Sequence, residues 1–260
     1  MKAYYINLAR RHDRRASLEG QLDRLGIKAE RIEAVTPTDL SPEQRARHCN
    51  TSKLHWVTEP ELSCSLSHHI ALRTFLASEA EHALVLEDDV ILAPGLPALL
   101  ASPMPSCDVL RLETFASPQY LRSKPFARIA QGELFAMHGW CWGTAAYVIS
   151  RRGAEILLAD TEALSAPYDR VIFNRYRAPG ARLRSWQLVP ALAIQQHRHV
   201  DGLADGDIAP AAKANAGSRS VSPLQGLRRW WESEIQMGLP KTMNMALGRA
   251  KRRIIPFAGD

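Results

Sequence analysis

Short apolar runs and helix-spaced apolar positions take turns along this chain. AYYINL (3–8) is rich in β-formers and begins almost at the first residue, as a first buried strand would. In HDRRASLEGQLDRL (12–25), Leu18, Leu22 and Leu25 recur at helical spacing, and Gly26 stops the helix. Residues 27–34 return as a second strand, which makes a β-α-β opening, the pattern of a parallel sheet covered by helices. Segment 36–58 is polar and predicts no clear element. Residues 61–80 place apolar side chains at 62, 66, 70, 72, 75 and 76 and predict a long helix. That helix leads into a central strand, Ala83–Leu86. DVLRLE (108–113) predicts another strand, WCWGTAAYVIS (140–150) a strand or hairpin, and RRGAEILLAD (151–160) a helix. The fold class expected is α/β with a mostly parallel, Rossmann-like sheet and no internal repeat.

The stretch LVLEDDVIL (84–92) breaks the pattern, because three consecutive acids sit among aliphatic residues. In an open α/β sheet, ligands bind at the carboxyl ends of the strands, and Glu87, Asp88 and Asp89 fall where the strand ends. Adjacent carboxylates repel unless a cation or strong donors neutralise them. A divalent ion with oxygen ligands and substrate phosphates does this. A solvated acidic turn is the plainer alternative.

Composition narrows the classes. The chain has 260 residues, enough for one α/β domain with an appendage. It lacks an apolar run of membrane-spanning length, and the start MKAYYINLARRHDRR turns charged too soon for a secretory signal, so a cytoplasmic location is expected. Cys49, Cys64, Cys107 and Cys141 are widely spaced without a CxxC pair, which excludes a disulfide scaffold and argues against a cysteine zinc site. Residues 1–212 hold 24 basic and 24 acidic side chains, and residues 213–260 hold 9 and 3, so the net charge of +6 lies in the tail.

Four blocks, in order, resemble glycosyltransferase family 25, the bacterial lipopolysaccharide and lipooligosaccharide glycosyltransferases that include collagen galactosyltransferase domains. They are Ile6-Asn7-Leu8 with Arg14 and Arg15; Glu61, Cys64, Ser67 and His68; the strand closing in LEDD; and Trp142–Ser150 with Gly153-Ala154. They span residues 4 to about 170. The resemblance implies a GT-A-like fold, a UDP-galactose or UDP-glucose donor, and transfer with inversion. It also implies a Mn²⁺ or Mg²⁺ held by the acidic motif, with Asp89 first in line for the metal, Glu87 a further candidate ligand, and Glu87 or Asp88 on the ribose or a metal-bound water. Asn7 and Leu8 would then offer backbone groups to the base, and Glu61, Ser67 and His68 would line the donor site.

The residue types suit that chemistry. A nucleoside diphosphate leaves only when its growing charge is neutralised. Arg14 and Arg15 could reach phosphate oxygens as guanidinium forks, or form a solvated helix start. Inverting transfer needs a general base at the acceptor hydroxyl. Asp169 in SAPYDRVIF matches a proline-flanked aspartate of the family, and Glu113 is the runner-up; an arginine salt bridge would explain either one structurally. Adjacent His68 and His69 diverge on a helix and cannot easily share one metal. Ser67-His68 lacks a nucleophile elbow. Trp140 and Trp142 could stack on an acceptor sugar, with Gly143 and Thr144 allowing close backbone approach, and Tyr147 could stack or fill the core. His197 or His199 could supply a further metal ligand.

Residues 1–210 are expected to form the catalytic domain, and 211–260 a hinge (211–223) and a basic amphipathic tail. Paired Arg and Trp residues and the cluster RAKRR read as a membrane-surface element for anionic lipid. No nucleic-acid module accompanies them. A peripheral enzyme on the inner face of the cytoplasmic membrane, acting on a lipid-linked oligosaccharide, is the resulting expectation. Against it stand a catalytically silent glycan-binding or scaffold relative and a metal-dependent phosphohydrolase.

Overall fold

A computed structural model describes residues 1–139, 141–199 and 223–259. Its opening is the predicted β-α-β unit, with β1 (Lys2–Asn7), α1 (His12–Arg24) and β2 (Glu30–Glu33). The polar segment that follows is ordered, with a 3-10 turn at Pro37–Asp39 and the helix α2 (Pro42–His48). The long helix α3 runs Glu59–Leu76, starting earlier than its apolar spacing suggested. Thr58 and Glu61 cap it reciprocally: Glu61 Oε2 accepts the Thr58 N–H at 2.7 Å and Thr58 Oγ1 accepts the Glu61 N–H at 3.3 Å.

The strand β3 (His82–Glu87) is followed at once by β4 (Val90–Leu92), then α4 (Leu96–Ala101), β5 (Val109–Arg111) and β6 (Glu113–Thr114). The predicted strand 108–113 is thus broken at Leu112. Next come β7 (Gln119–Arg122), β8 (Ala127–Ile129), β9 (Gly132–Ala136) and β10 (Ala146–Ser150), then α5 (Arg151–Ala159), α6 (Tyr168–Phe173), β11 (Ser185–Val189), β12 (Ala193–Gln195) and α7 (Gln196–His199).

The large sheet has the order β2-β1-β3-β10-β5-β11-β9-β8. Six of its strands run one way, while β10 and β9 oppose them. Both faces are covered, which is why β3 reads as a continuous apolar run. Ala83 and Val85 pack with Phe75, Leu72 and Leu157 on one face, and Leu84 and Leu86 with Leu18, Leu22 and Leu96 on the other. A small sheet, β4-β12-β6, stands at the carboxyl edge of the large one. Three large-sheet strands cross into it directly: β3 into β4, β5 into β6, and β11 into β12. Asp88 and Asp89 occupy the first of these crossings, directly after Glu87, and Glu113 opens β6 directly after the second.

The C-terminal region is not a simple appendage. After the helices α8 (Pro223–Trp230) and α9 (Leu239–Ala246), the strand β13 (Ala250–Arg253) pairs antiparallel with β7. Ile255 and Phe257 are buried in the two main core clusters, and Ala191 exchanges backbone hydrogen bonds with Pro256 and Ala258, each at 2.8 Å. The boundary expected at residue 211 therefore does not mark the limit of the packed domain, because residues 250–258 complete it. The expected hinge lies, up to residue 222, outside the described residues. Among the described residues no helix is long and apolar enough to cross a membrane.

Candidate active site

The acidic turn is built by strand geometry and then held by named donors. Asp88 Oδ2 accepts a 2.7 Å hydrogen bond from the buried Asn7 side chain, at the end of the neighbouring strand β1. Arg14, in the first turn of α1, lies 3.4 Å from Asp88 Oδ1 and 3.6 Å from Asp89 Oδ2. Asn7 is itself fixed by Arg31 Nε at 3.0 Å. Glu87 Oε1 accepts from Thr144 Oγ1 at 2.7 Å and from His68 Nε2 at 3.2 Å. His68 is fully buried, its Nδ1 is 3.0 Å from the Tyr147 hydroxyl, and its ring stacks on Tyr168 with centroids 4.4 Å apart.

The approach to β10 ties the cluster together. Because β10 runs against its neighbours, its leading residues 143–145 arrive at the edge where β3 and β5 end. Thr144 holds Glu87, and the Ala145 N–H donates to Glu113 Oε2 at 2.9 Å. Gly143 has φ +83°, and its missing side chain leaves room for the Glu113 carboxylate, with which a Cβ would collide. Arg111, wholly buried, donates to the Glu113 carbonyl at 2.6 Å, to Gln187 Oε1 at 2.7 Å and to the Trp142 carbonyl. It thereby fixes the same loop from below.

Charge states follow from these surroundings. Burial raises Glu87, but hydrogen bonds from His68 and Thr144 and the Arg14 charge outweigh it, leaving the carboxyl below its ordinary value. Asp89 is pushed up to about 7 by burial and the neighbouring charge of Glu87, against the pull of Arg14. Glu113 is pushed up to about 8 by burial, opposed by Arg111. Asp169, half-buried at the start of α6, is raised to about 6 by burial, while Arg170 and the Arg170 and Gly143 N–H groups oppose the rise. Asp89 Oδ1 and Glu113 Oε1 are buried without a hydrogen-bond partner among the described residues. A buried carboxylate oxygen left without a donor calls for a proton or a cation, and at Asp89 the hard oxygen donors suit a divalent ion.

Other expected residues make contacts of their own within the fold. Glu61 caps α3. Ser67 Oγ accepts from the Val35 N–H at 2.9 Å and donates to the Ser63 carbonyl at 2.7 Å, so it braces the loop after β2. Arg15 pairs with Glu19 at 3.0 Å on the flank of α1, away from the acids that Arg14 reaches. The Leu8 carbonyl closes the turn to Arg11 at 2.9 Å. Trp142 stands exposed at the rim, and Trp140 lies outside the described residues. The element carrying His197 starts beside Asp89, whose carbonyl accepts the Gln196 N–H at 2.7 Å, and the His197 ring meets Phe115 edge-on. His199 packs edge-on against Phe257 instead. His69 turns away from His68, with both ring nitrogens buried and unpartnered among the described residues. Sequence reasoning missed Arg111, which carried no motif, and the part played by Ala145, which lay in the Trp142–Ser150 block without an assigned role. It also missed the role of Glu61, which the T-x-x-E spacing from Thr58 could have revealed.

Comparison with known proteins adds an independent finding. The sequence model of "Glycosyltransferase family 25 (LPS biosynthesis protein)" matches residues 1–172. The lacto-N-neotetraose biosynthesis glycosyltransferase LgtE of Neisseria meningitidis serogroup B is 25% identical over 209 residues, covering 75% of this chain and 74% of that protein. A glycosyltransferase 25 family member of Aedes aegypti is 26% identical over 219 residues, 75% of this chain but only 35% of its own length. Among solved structures, a glycosyltransferase involved in glycosylation of the major capsid of PBCV-1 aligns with TM-score 0.41 and 12% identity, covering 82% of this chain and 98% of that one.

Proposed function

The chain belongs to glycosyltransferase family 25, and on that premise we propose that it is a metal-dependent, inverting hexosyltransferase. In this reading it transfers galactose or glucose from a UDP-sugar to a lipopolysaccharide- or lipooligosaccharide-type oligosaccharide. The observation that carries the reading is the acidic crossing between β3 and β4, where Asp89 keeps a buried oxygen without a partner among the described residues, beside the Asn7- and Arg14-held Asp88.

Asp89 and Asp88 are the residues that would hold a Mn²⁺ or Mg²⁺, with His197 the candidate on the adjoining helix. Such an ion neutralises the charge growing on the departing diphosphate. The chain's own residues prepare that step. Asn7 and Arg14 orient Asp88, while His68 and Thr144 keep Glu87 charged and pointed into the cluster. Asp169 is the base: it is half-buried at the start of α6 and burial raises it to about 6, so it is ionised at neutral pH yet basic enough to accept the acceptor hydroxyl's proton. Glu113 is wholly buried and holds its proton to about 8, which suits an anchor for Gly143–Ala145 better than a base. Exposed Trp142 offers a flat apolar face to an acceptor sugar.

The C-terminal arm supports action at a membrane surface. Leu224, Leu227, Trp230, Trp231, Leu239 and Met243 are exposed there, close in sequence to Arg228 and Lys241. An apolar surface with tryptophan and cations binds anionic lipid, and a lipid-linked acceptor on the inner leaflet would be met there.

The test is thermal-shift binding of a UDP-sugar panel with and without Mn²⁺. One UDP-hexose should stabilise the protein only with the metal, by about 2.7 kcal/mol at a hundredfold excess over Kd. The effect should vanish in Asp89→Ala. No response to any nucleotide sugar, with or without metal, overturns the proposal.

A further inference from the structure

Below the acidic crossing, a second group of possible metal ligands has a different chemical character. Cys64 Sγ, one imidazole nitrogen of His68 and a Glu87 carboxylate oxygen lie within 4.8 Å of one another. The first two stand one turn apart on α3, so the helix presents both on one face, and the end of β3 delivers the third. Two ligands on one tetrahedral ion with bonds of about 2.0–2.3 Å stand roughly 3.3–3.8 Å apart. His68 Nε2 and Glu87 Oε1 are 3.2 Å apart already, and the whole set needs adjustments of about 1 Å.

The surroundings are organised as ligand sites are. The far nitrogen of His68 faces the Tyr147 hydroxyl at 3.0 Å, and its ring is clamped on Tyr168. Such a contact fixes the ring and presents the other nitrogen. A hydroxyl can donate or accept, so Tyr147 serves either tautomer of the imidazole. Cys64 and Glu87 remain partly open to solvent, which gives an ion its path in. Burial and the charges of Glu87, Asp169, Asp89 and Glu61 hold the Cys64 proton on, and the same field attracts a cation.

We propose that Cys64, His68 and Glu87 form a second cation site, selective for thiophilic divalent ions such as Zn²⁺, distinct from the oxygen-ligand site at Asp88 and Asp89. Thiolate and imidazole favour softer ions, whereas carboxylates alone favour Mn²⁺ or Mg²⁺. Binding displaces the Cys64 proton and draws Glu87 towards α3. Zn²⁺ should therefore inhibit where Mn²⁺ supports turnover. That functional consequence rests on the transferase reading; the site itself does not.

Co²⁺ is the probe, because a thiolate ligand gives it a sulfur-to-metal charge-transfer absorption. The full-length protein, reduced and metal-free, should show this band on Co²⁺ titration and lose it on adding Zn²⁺. Cys64→Ser should abolish the band, and His68→Gln should weaken Co²⁺ binding at least tenfold. Asp89→Asn should leave the band in place, so loss of donor binding in that variant is read separately. A protein without the band, or a band that survives Cys64→Ser, overturns the proposal. If Cys64→Ser fails to fold, the His68→Gln titration decides, and unchanged Co²⁺ affinity there overturns it.

Discussion

Replacing Gly143 with alanine perturbs the loop at one atom, and the structure sets the size of the effect. A Cβ at this position would stand 2.8 Å from Glu113 Oε2 and closer still to Oε1. The backbone φ of +83° adds a second cost, because side-chain-bearing residues avoid that region. The dihedral costs about 1–2 kcal/mol and overpacking about 1–3 kcal/mol, so Gly143→Ala should destabilise by roughly 2–5 kcal/mol. The two parts can be separated. Glu113→Ala removes the carboxylate that collides but leaves φ unchanged. Urea unfolding of the two single variants and the double variant forms a cycle, in which the double should be less destabilised than the sum by about 1–3 kcal/mol. Additivity within about 0.5 kcal/mol would refute the packing argument. A Gly143→Ala cost below about 1 kcal/mol would refute the dihedral argument too.

Glu113→Gln tests the charge state. A carboxyl whose folded value is near 8 rather than the ordinary 4.5 keeps a proton that the unfolded chain has lost, so wild-type stability should fall as pH rises from about 4.5 to about 8. The glutamine variant should lack that part of the slope, and identical pH profiles in denaturation would count against it. Asp169→Asn should lower kcat by roughly 10²–10⁴ while UDP-sugar binding is kept; a loss under tenfold would remove Asp169 as the base. Phe257→Ala should cost about 3–5 kcal/mol in urea unfolding, and a negligible change would mean that the C-terminal residues are not part of the core. Trp230→Ser with Trp231→Ser should reduce co-sedimentation with anionic vesicles and leave turnover on a soluble acceptor intact; unchanged co-sedimentation would count against the membrane reading.

The sequence made the acidic crossing legible because its cause is local, an apolar strand that stops at three acids. Asn7 and Arg14 were expected to meet a base and phosphate oxygens; their contacts with Asp88, made between segments far apart in sequence, were not legible. Nor was Arg111. A lone arginine in DVLRLE looks like a solvent-facing position, yet it is wholly buried because its partners Trp142 and Gln187 come from distant segments. The tail misled for a related reason. Its basic cluster RAKRR, expected at a membrane surface, falls at and within β13, and Ile255 and Phe257 follow that strand into the core, a pairing with β7 that periodicity does not encode. Ser67 and Glu61 fell in a family block, but their bonds are those of a helix brace and a helix cap.

The reversed direction of β10 also has a consequence for how this site can change. Its register against β3 is set by apolar pairs deep in the sheet, such as Val148 with Leu84 and Ala146 with Leu86. Residues added to or removed from the loop leading to Trp142 would alter the rim proposed to meet an acceptor, while that register holds Thr144 and Ala145 opposite their carboxylates. On the proposed reading, acceptor preference and donor activation can therefore drift apart in sequence, one set by a rim loop and the other locked to the pleat.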